Sequence, residues 1–180
     1  MTSMLKLVGK WMLWAVGAMA GVFLTIVLVG WTFPVAETTT NTITINRPPQ
    51  NVWWILTDYN NASQWHPQFR EAVMLSLPGD KPMRWRGTYT DGAVVNFEVV
   101  ESDFPKRLVE RIADNNLPFG GTWTVVIRTD DLRTSVVTVQ ARAENYNPFN
   151  RFVVHLFVNP SAEVDRILKA LKSRVESSRL

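Results

Sequence analysis

Cysteine is absent from the 180 residues, which excludes a disulfide-stapled fold and any thiolate metal site. Histidine is scarce, His66 and His155 being the only two, too few for the usual zinc constellations, so neither metal nor cofactor is expected. Negative charge is missing from the start of the chain: Glu37 is the first of 16 carboxylates, and only Lys6 and Lys10 carry charge before it. From Glu37 onward 17 basic residues face 16 acidic ones, a net of +1. A domain so nearly neutral lacks the basic stripe that neutralises phosphates, so nucleic acid is not an expected partner. There is no Gly-x-Ser-x-Gly elbow, phosphate loop or dinucleotide fingerprint, and Phe119-Gly120-Gly121 has neither the spacing nor the following helix such loops require. What is present is apolar: 46% of the chain, too much for a disordered protein.

That apolar content is concentrated first between Lys10 and Glu37, where 26 consecutive residues carry no charge. Trp11 to Trp31 is almost wholly apolar, and 21 helical residues span roughly 31 Å, about one hydrocarbon core. Trp11 and Trp14 at one end and Trp31 with Phe33 at the other suit the two membrane interfaces, and Pro34 ends the helix. The run exceeds a signal-peptide core, and Pro34 fits poorly before a cut after Ala36, so a retained transmembrane helix over 11–34 is expected rather than a cleaved signal. Residues 1–10 would form a cytoplasmic segment, because Lys6 and Lys10 lie on that side and the next basic residue is Arg47. The remaining chain would then be extracytoplasmic. Gly17 and Gly21 form one GxxxG pair, a candidate face for a homodimer.

A connector is expected over 35–41 and a single domain over 42–180. Ile43 and Ile45 alternate with polar neighbours as a strand, and Pro48-Pro49 opens a helix with an apolar stripe of Val52, Ile55, Leu56 and Tyr59. Strand-like segments follow at 72–77, 83–90, 93–101, 107–113, 122–129 and 134–143, separated by turn residues, which reads as an antiparallel meander. Asn147-Pro148 and Asn159-Pro160 each have the form of a helix start. After the second, Val164, Ile167, Leu168, Leu171 and Val175 keep helical spacing and make one stripe for a sheet.

The Asp91-Gly92 turn permits a register argument. A two-residue loop would pair Trp85 with Glu98 and mix charge with aromatics on both faces. A three-residue loop, Thr90-Asp91-Gly92 with Gly92 left-handed, pairs Trp85 with Phe97 and Arg84 with Glu98. One face then carries Met83, Trp85, Tyr89, Val95, Phe97 and Val99, and the other, facing water, Arg84, Arg86, Asn96 and Glu98. The binary pattern selects the three-residue loop.

Several strings, in this order, resemble one family: Arg47-Pro48-Pro49-Gln50-Asn51-Val52-Trp53 with Leu56-Thr57-Asp58, then Trp65-His66-Pro67, Pro118-Phe119-Gly120-Gly121-Thr122-Trp123, and Asn147-Pro148. Over residues 40 to 175 the chain resembles the START-like, or SRPBCC, superfamily, and in particular its polyketide cyclase/dehydrase-like members. The resemblance implies an α+β helix-grip fold, a curved antiparallel β-sheet wrapped around a long C-terminal helix, here preceded by one transmembrane helix. It also implies a cavity between sheet and helix for a lipid or another hydrophobic small molecule. Trp65, Met83, Trp85, Tyr89, Val95, Phe97, Trp123, Leu168 and Leu171 are the expected ligand-binding residues, with 117–121 and the last helix as gates. Shared fold leaves activity open. A cyclase/dehydratase-like enzyme needs an ionisable group inside the cavity, for which His66 and Glu98 are the catalytic candidates. A non-enzymatic interaction module needs a filled interior and an exposed apolar patch, for instance at Trp53 or Trp54, which cannot both face the core of one helix. Plainer roles are packing for His155, a loop position for His66, and termination of the first short helix for Asp58.

Overall fold

The computed structural model describes residues 2–77, 79–131 and 133–178. They form two compact units, one made of residues 36–144 with 159–180 and the other of residues 1–35 with 145–158.

The larger unit is built on alternation. Strands β1 (Ala36–Ile45), β2 (Phe69–Met74), β3 (Arg84–Tyr89), β4 (Val94–Asp103), β5 (Arg107–Ile112), β6 (Phe119–Asp131) and β7 (Thr134–Asn145) form a seven-stranded sheet. Their order is β1-β7-β6-β5-β4-β3-β2, so β2 to β7 run as the expected meander and β1 joins beyond β7. β1 pairs from Ala36↔Glu144 to Ile45↔Ser135, so all but the first residue of the expected connector 35–41 is strand. Its Thr and Asn side chains carry no apolar alternation to read, but its backbone groups find partners on β7.

The three-residue hairpin forms between β3 and β4. Trp85 pairs with Phe97 and Arg84 with Glu98, and Gly92 adopts φ 90°. The Asp91 carboxylate accepts from the Ala93 N–H at 2.9 Å and holds the turn. Where β6 begins, a Cβ on Gly121 would lie 2.5 Å from the Arg142 carbonyl oxygen, so that position has room only for glycine.

Helix α2 (Pro49–Thr57) starts at the proline pair and ends at Asp58, and a 3-10 turn follows over Tyr59–Gln64. Helix α4 (Pro160–Ser177) is capped by Asn159, whose Oδ1 accepts from the Ala162 N–H at 3.2 Å. All five expected stripe residues, Val164, Ile167, Leu168, Leu171 and Val175, are buried. α4 packs along β1 and α2, and its stripe shares a core with Ile45, Val52, Trp53, Leu108, Val125 and Val137. This is a helix-grip fold. Of the tryptophan pair, Trp53 is buried and Trp54 is 52% exposed.

The smaller unit contains α1 (Thr2–Thr32) and α3 (Pro148–Phe157), which pack on each other. Gly9–Thr32 is long and apolar enough to cross a membrane, with mean hydropathy 2.3, a property that signal sequences share. A Cβ on Gly17 or Gly21 would touch nothing within 4 Å.

Candidate ligand cavity

Because β3, β4 and β5 alternate, each sends every second side chain under the sheet. Trp85, Phe97 and Glu110 are three of these, and with α4, α2 and the 3-10 turn they enclose a cavity of about 130 Å³. Its walls are mostly apolar, with Trp123, Val125 and Val139 from β6 and β7 and Ile167, Leu168 and Leu171 from α4. An engineered apolar cavity of roughly 150 Å³ is enough to hold benzene, so this one matches a single ring rather than an extended acyl chain.

The aromatic wall is ordered by stacking. Trp85 lies between Tyr59, at 5.0 Å and 22°, and Phe97, at 4.2 Å and 13°, with Phe69 edge-on at 5.4 Å. Such offset and edge contacts fix ring positions beyond what burial alone does.

One carboxyl enters this apolar room. Glu110 follows Leu108 by two positions on β5 and pairs with the inward-facing Val99 of β4. Trp85 Nε1–H donates to Glu110 Oε1 at 2.9 Å. Burial pushes the Glu110 carboxyl up to about 7, the opposing donors Tyr59 and Trp85 being too weak to cancel it. The Tyr59 hydroxyl is directed at Glu110 but closes no hydrogen bond of ordinary geometry, and burial together with the Glu110 charge raises its pKa. Trp65 Nε1–H is likewise buried without a partner. Two donors on the cavity wall are therefore unsatisfied among the described residues, a state that buried polar groups seldom tolerate without a ligand or water.

His66 also lines the cavity, stacked on Phe69 at 4.2 Å and edge-on to Trp65 at 5.3 Å. Burial lowers its pKa to about 4, so the imidazole is neutral at pH 7. Tyr89, at the rim of the aromatic cluster, is pushed up to about 12 by burial and by Asp91.

The cavity thus brings together Trp65, Trp85, Tyr89, Phe97, Trp123, Leu168 and Leu171. Val95 is fully buried and Met83 packs half-buried against the core, and neither borders it. Gly87, opposite Val95 in the ladder, leaves room that the Phe69 ring fills. Glu98 is not in the cavity. It lies on the other face of β4, where Arg111 Nε donates to its Oε1 and Arg84 Nη2 sits 3.7 Å from Oε2. The expectation that this face is solvated needs correction at Glu98 itself, which the two guanidinium groups cover to 7% exposure. His155 stacks on Phe33 at 4.1 Å within the smaller unit and remains exposed. Among the described residues no group of His, Asp and Glu could hold a metal ion.

Residues 36–176 match the family described as polyketide cyclase/dehydrase and lipid transport. The chain belongs to that family. This polyketide cyclase/dehydrase family member has the fold of the Zhui aromatase/cyclase from a Streptomyces species, with TM-score 0.65, 13% identity, and 78% of this chain and 94% of that one covered. It also resembles norcoclaurine synthase from Thalictrum flavum, solved with dopamine and hydroxybenzaldehyde, with TM-score 0.62, 10% identity, and coverage of 81% and 90%. A START superfamily protein from Mycobacterium smegmatis superposes with TM-score 0.60 at 15% identity, covering 77% and 97%. At such identities the likeness is one of fold. No curated protein sequence matches the chain.

Proposed function

We propose that the protein is a membrane-anchored binder of a neutral, ring-containing hydrophobic molecule held between the sheet and α4. The supporting observation is the chemistry of the cavity wall: apolar side chains, two unsatisfied donors at Tyr59 and Trp65, and a carboxyl and an imidazole that are both largely uncharged between about pH 4 and about pH 7. A neutral ring bearing a carbonyl or hydroxyl oxygen answers those donors. An anion would meet Glu110 as that group ionises, and an isolated charge is poorly solvated in such a site. Transfer of the ring's apolar surface supplies roughly 25 cal/mol per Å² buried. In this reading α1 stays in the membrane over 11–34 with the amino terminus cytoplasmic, and the binding domain lies on the extracytoplasmic side. A lipid remains within the class if only its ring or a short segment enters.

The full chain in detergent micelles tests this by titration with acetophenone, benzene and benzoate, and by mass spectrometry of lipid that copurifies. Acetophenone is expected to bind more tightly than benzene, and benzoate weakest, with Trp65→Phe removing the preference for acetophenone. Equal affinity for all three, or none, overturns the proposal.

A second reading, proton-transfer catalysis, is favoured by Glu110 alone, since a general acid or base works best with a pKa near ambient pH. Under it Glu110→Gln abolishes turnover while ligand still binds. The interaction-module reading expects a filled interior, and the cavity speaks against it.

A further inference from the structure

Helix α3 does not belong to the sheet unit. It belongs with α1. Four contacts fix it along the last three turns of that helix and the residue that follows it. At the crossing point a Cβ on Gly30 would sit 1.9 Å from the Pro148 carbonyl oxygen and 3.4 Å from Phe152 Cβ, an approach that only glycine permits. Toward the end of α1, His155 stacks on Phe33, and Arg151 Nη1 donates to the Phe33 carbonyl at 2.9 Å, occupying an acceptor that a helix terminus leaves free. In the other direction, the Phe149 ring stacks on Phe23 at 5.7 Å.

That last contact sets a depth. Phe23 precedes Thr32 by nine residues, roughly 14 Å along the axis. A bilayer that α1 crosses over 11–34 therefore also surrounds the Phe149 ring, while the α3 backbone starts beside Gly30, about one turn before that span ends. The helix has the composition for it. Its charged side chain, Arg151, is turned onto α1, and the Asn147 side chain accepts from the Phe149 and Asn150 N–H groups, so part of its amino-terminal backbone is satisfied internally. Apart from His155, which stacks on Phe33, its exposed side chains are apolar: Phe149, Leu156 at 54% and Phe157 at 77%, followed by Val158. The exposed apolar surface of α1 includes Leu28 and Phe23, and Phe23 is the ring on which Phe149 stacks.

Resting on the reading of α1 as a retained anchor, we propose that α3 is a second lipid-contacting element, immersed in the leaflet at the carboxy-terminal end of α1, its Phe149, Leu156 and Phe157 side chains against acyl chains. The membrane attachment is then a helix pair assembled from two distant parts of the chain rather than one amino-terminal anchor.

The absence of native cysteine makes single-site labelling direct. Nitroxides are placed at Phe157→Cys, Leu156→Cys, Leu24→Cys in α1 and Arg166→Cys in α4, each in the full chain reconstituted into vesicles of phosphatidylcholine with a minor fraction of phosphatidylglycerol. Access to dissolved oxygen is compared with access to a water-soluble nickel complex. Positions 24, 156 and 157 are expected to favour oxygen several-fold and position 166 to favour nickel. Gly30→Val is expected to shift 157 toward nickel by displacing α3, without moving position 24. Positions 156 and 157 reading like 166 while 24 reads as lipid overturns the proposal and leaves the anchor intact. Position 24 reading like 166 overturns the anchor as well. Spin–spin broadening at 157 with access to neither reagent means that a second copy covers the face, and also overturns the proposal.

Discussion

Folding moves a proton from one side chain of the cavity to another. The imidazole of His66 has its pKa lowered by burial from 6.5 to about 4, and the carboxyl of Glu110 has its pKa raised by burial from 4.5 to about 7. For His66 the neutral form is favoured in the folded state, so its contribution is complete above pH 6.5 and is lost as pH falls toward 4. For Glu110 the protonated form is favoured, so its contribution is complete below pH 4.5 and is lost as pH rises toward 7. Between those limits the unfolded chain holds one proton on His66 and the folded chain holds one on Glu110, and the pair adds no slope to stability against pH. Each partner alone gives about 1.4 kcal/mol per pH unit, or about 3 kcal/mol across the window. Glu110→Gln is therefore expected to make stability rise with pH by that amount relative to the parent, and His66→Gln to make it fall. The double variant returns to the parent's slope. Urea unfolding of the full chain in micelles, followed by tryptophan fluorescence from pH 4.5 to 6.5, measures the differences, and the contributions of other groups cancel in them. If both single variants run parallel to the parent, the cavity does not hold its two ionisable groups neutral and the argument fails.

Trp85→Phe removes the donor that restrains Glu110, so the carboxyl is expected to titrate above about 7 in a carbon-13 NMR titration. The same variant loses on the order of 1–3 kcal/mol in urea unfolding for the acceptor left buried. Leu171→Ala, on the α4 side of the cavity, should destabilise by about 2–5 kcal/mol while shifting preference from one-ring to two-ring probes in competition titrations. Gly92→Ala, at φ 90°, should cost about 1–2 kcal/mol without changing ligand affinity. Self-association through Gly17 and Gly21 predicts that Gly17→Leu abolishes crosslinked dimer in vesicles, and a dimer that persists dismisses that face.

Much of this was legible in the sequence, and for identifiable reasons. The α4 stripe was readable because five apolar residues keep one period over twelve positions, and the β3–β4 register because only one loop length separates Trp85 and Phe97 from Glu98. Glu110 escaped. Its strand, Arg107 to Ile112, carries charge on both faces, and the irregularity between Val99 and Glu101 breaks any register carried across from β4. The available signal was that Leu108 and Ile112 flank Glu110 on the more apolar face. The pairing of α3 with α1 left no trace, since a contact between helices more than a hundred residues apart has no local period. Gly30 looked like one more small residue in a membrane helix.

The outer face of the sheet also bears on the cavity beneath it. Arg84, Glu98 and Arg111 are sequence neighbours of Trp85, Phe97 and Glu110, so the ion cluster clips together from above the same three strands whose next residues form the wall below. Such a clip is a remote handle. Residues that no guest molecule touches thus sit one position away from those that line the slot, which gives an engineer attachment points beside the cavity that leave the polar chemistry inside undisturbed.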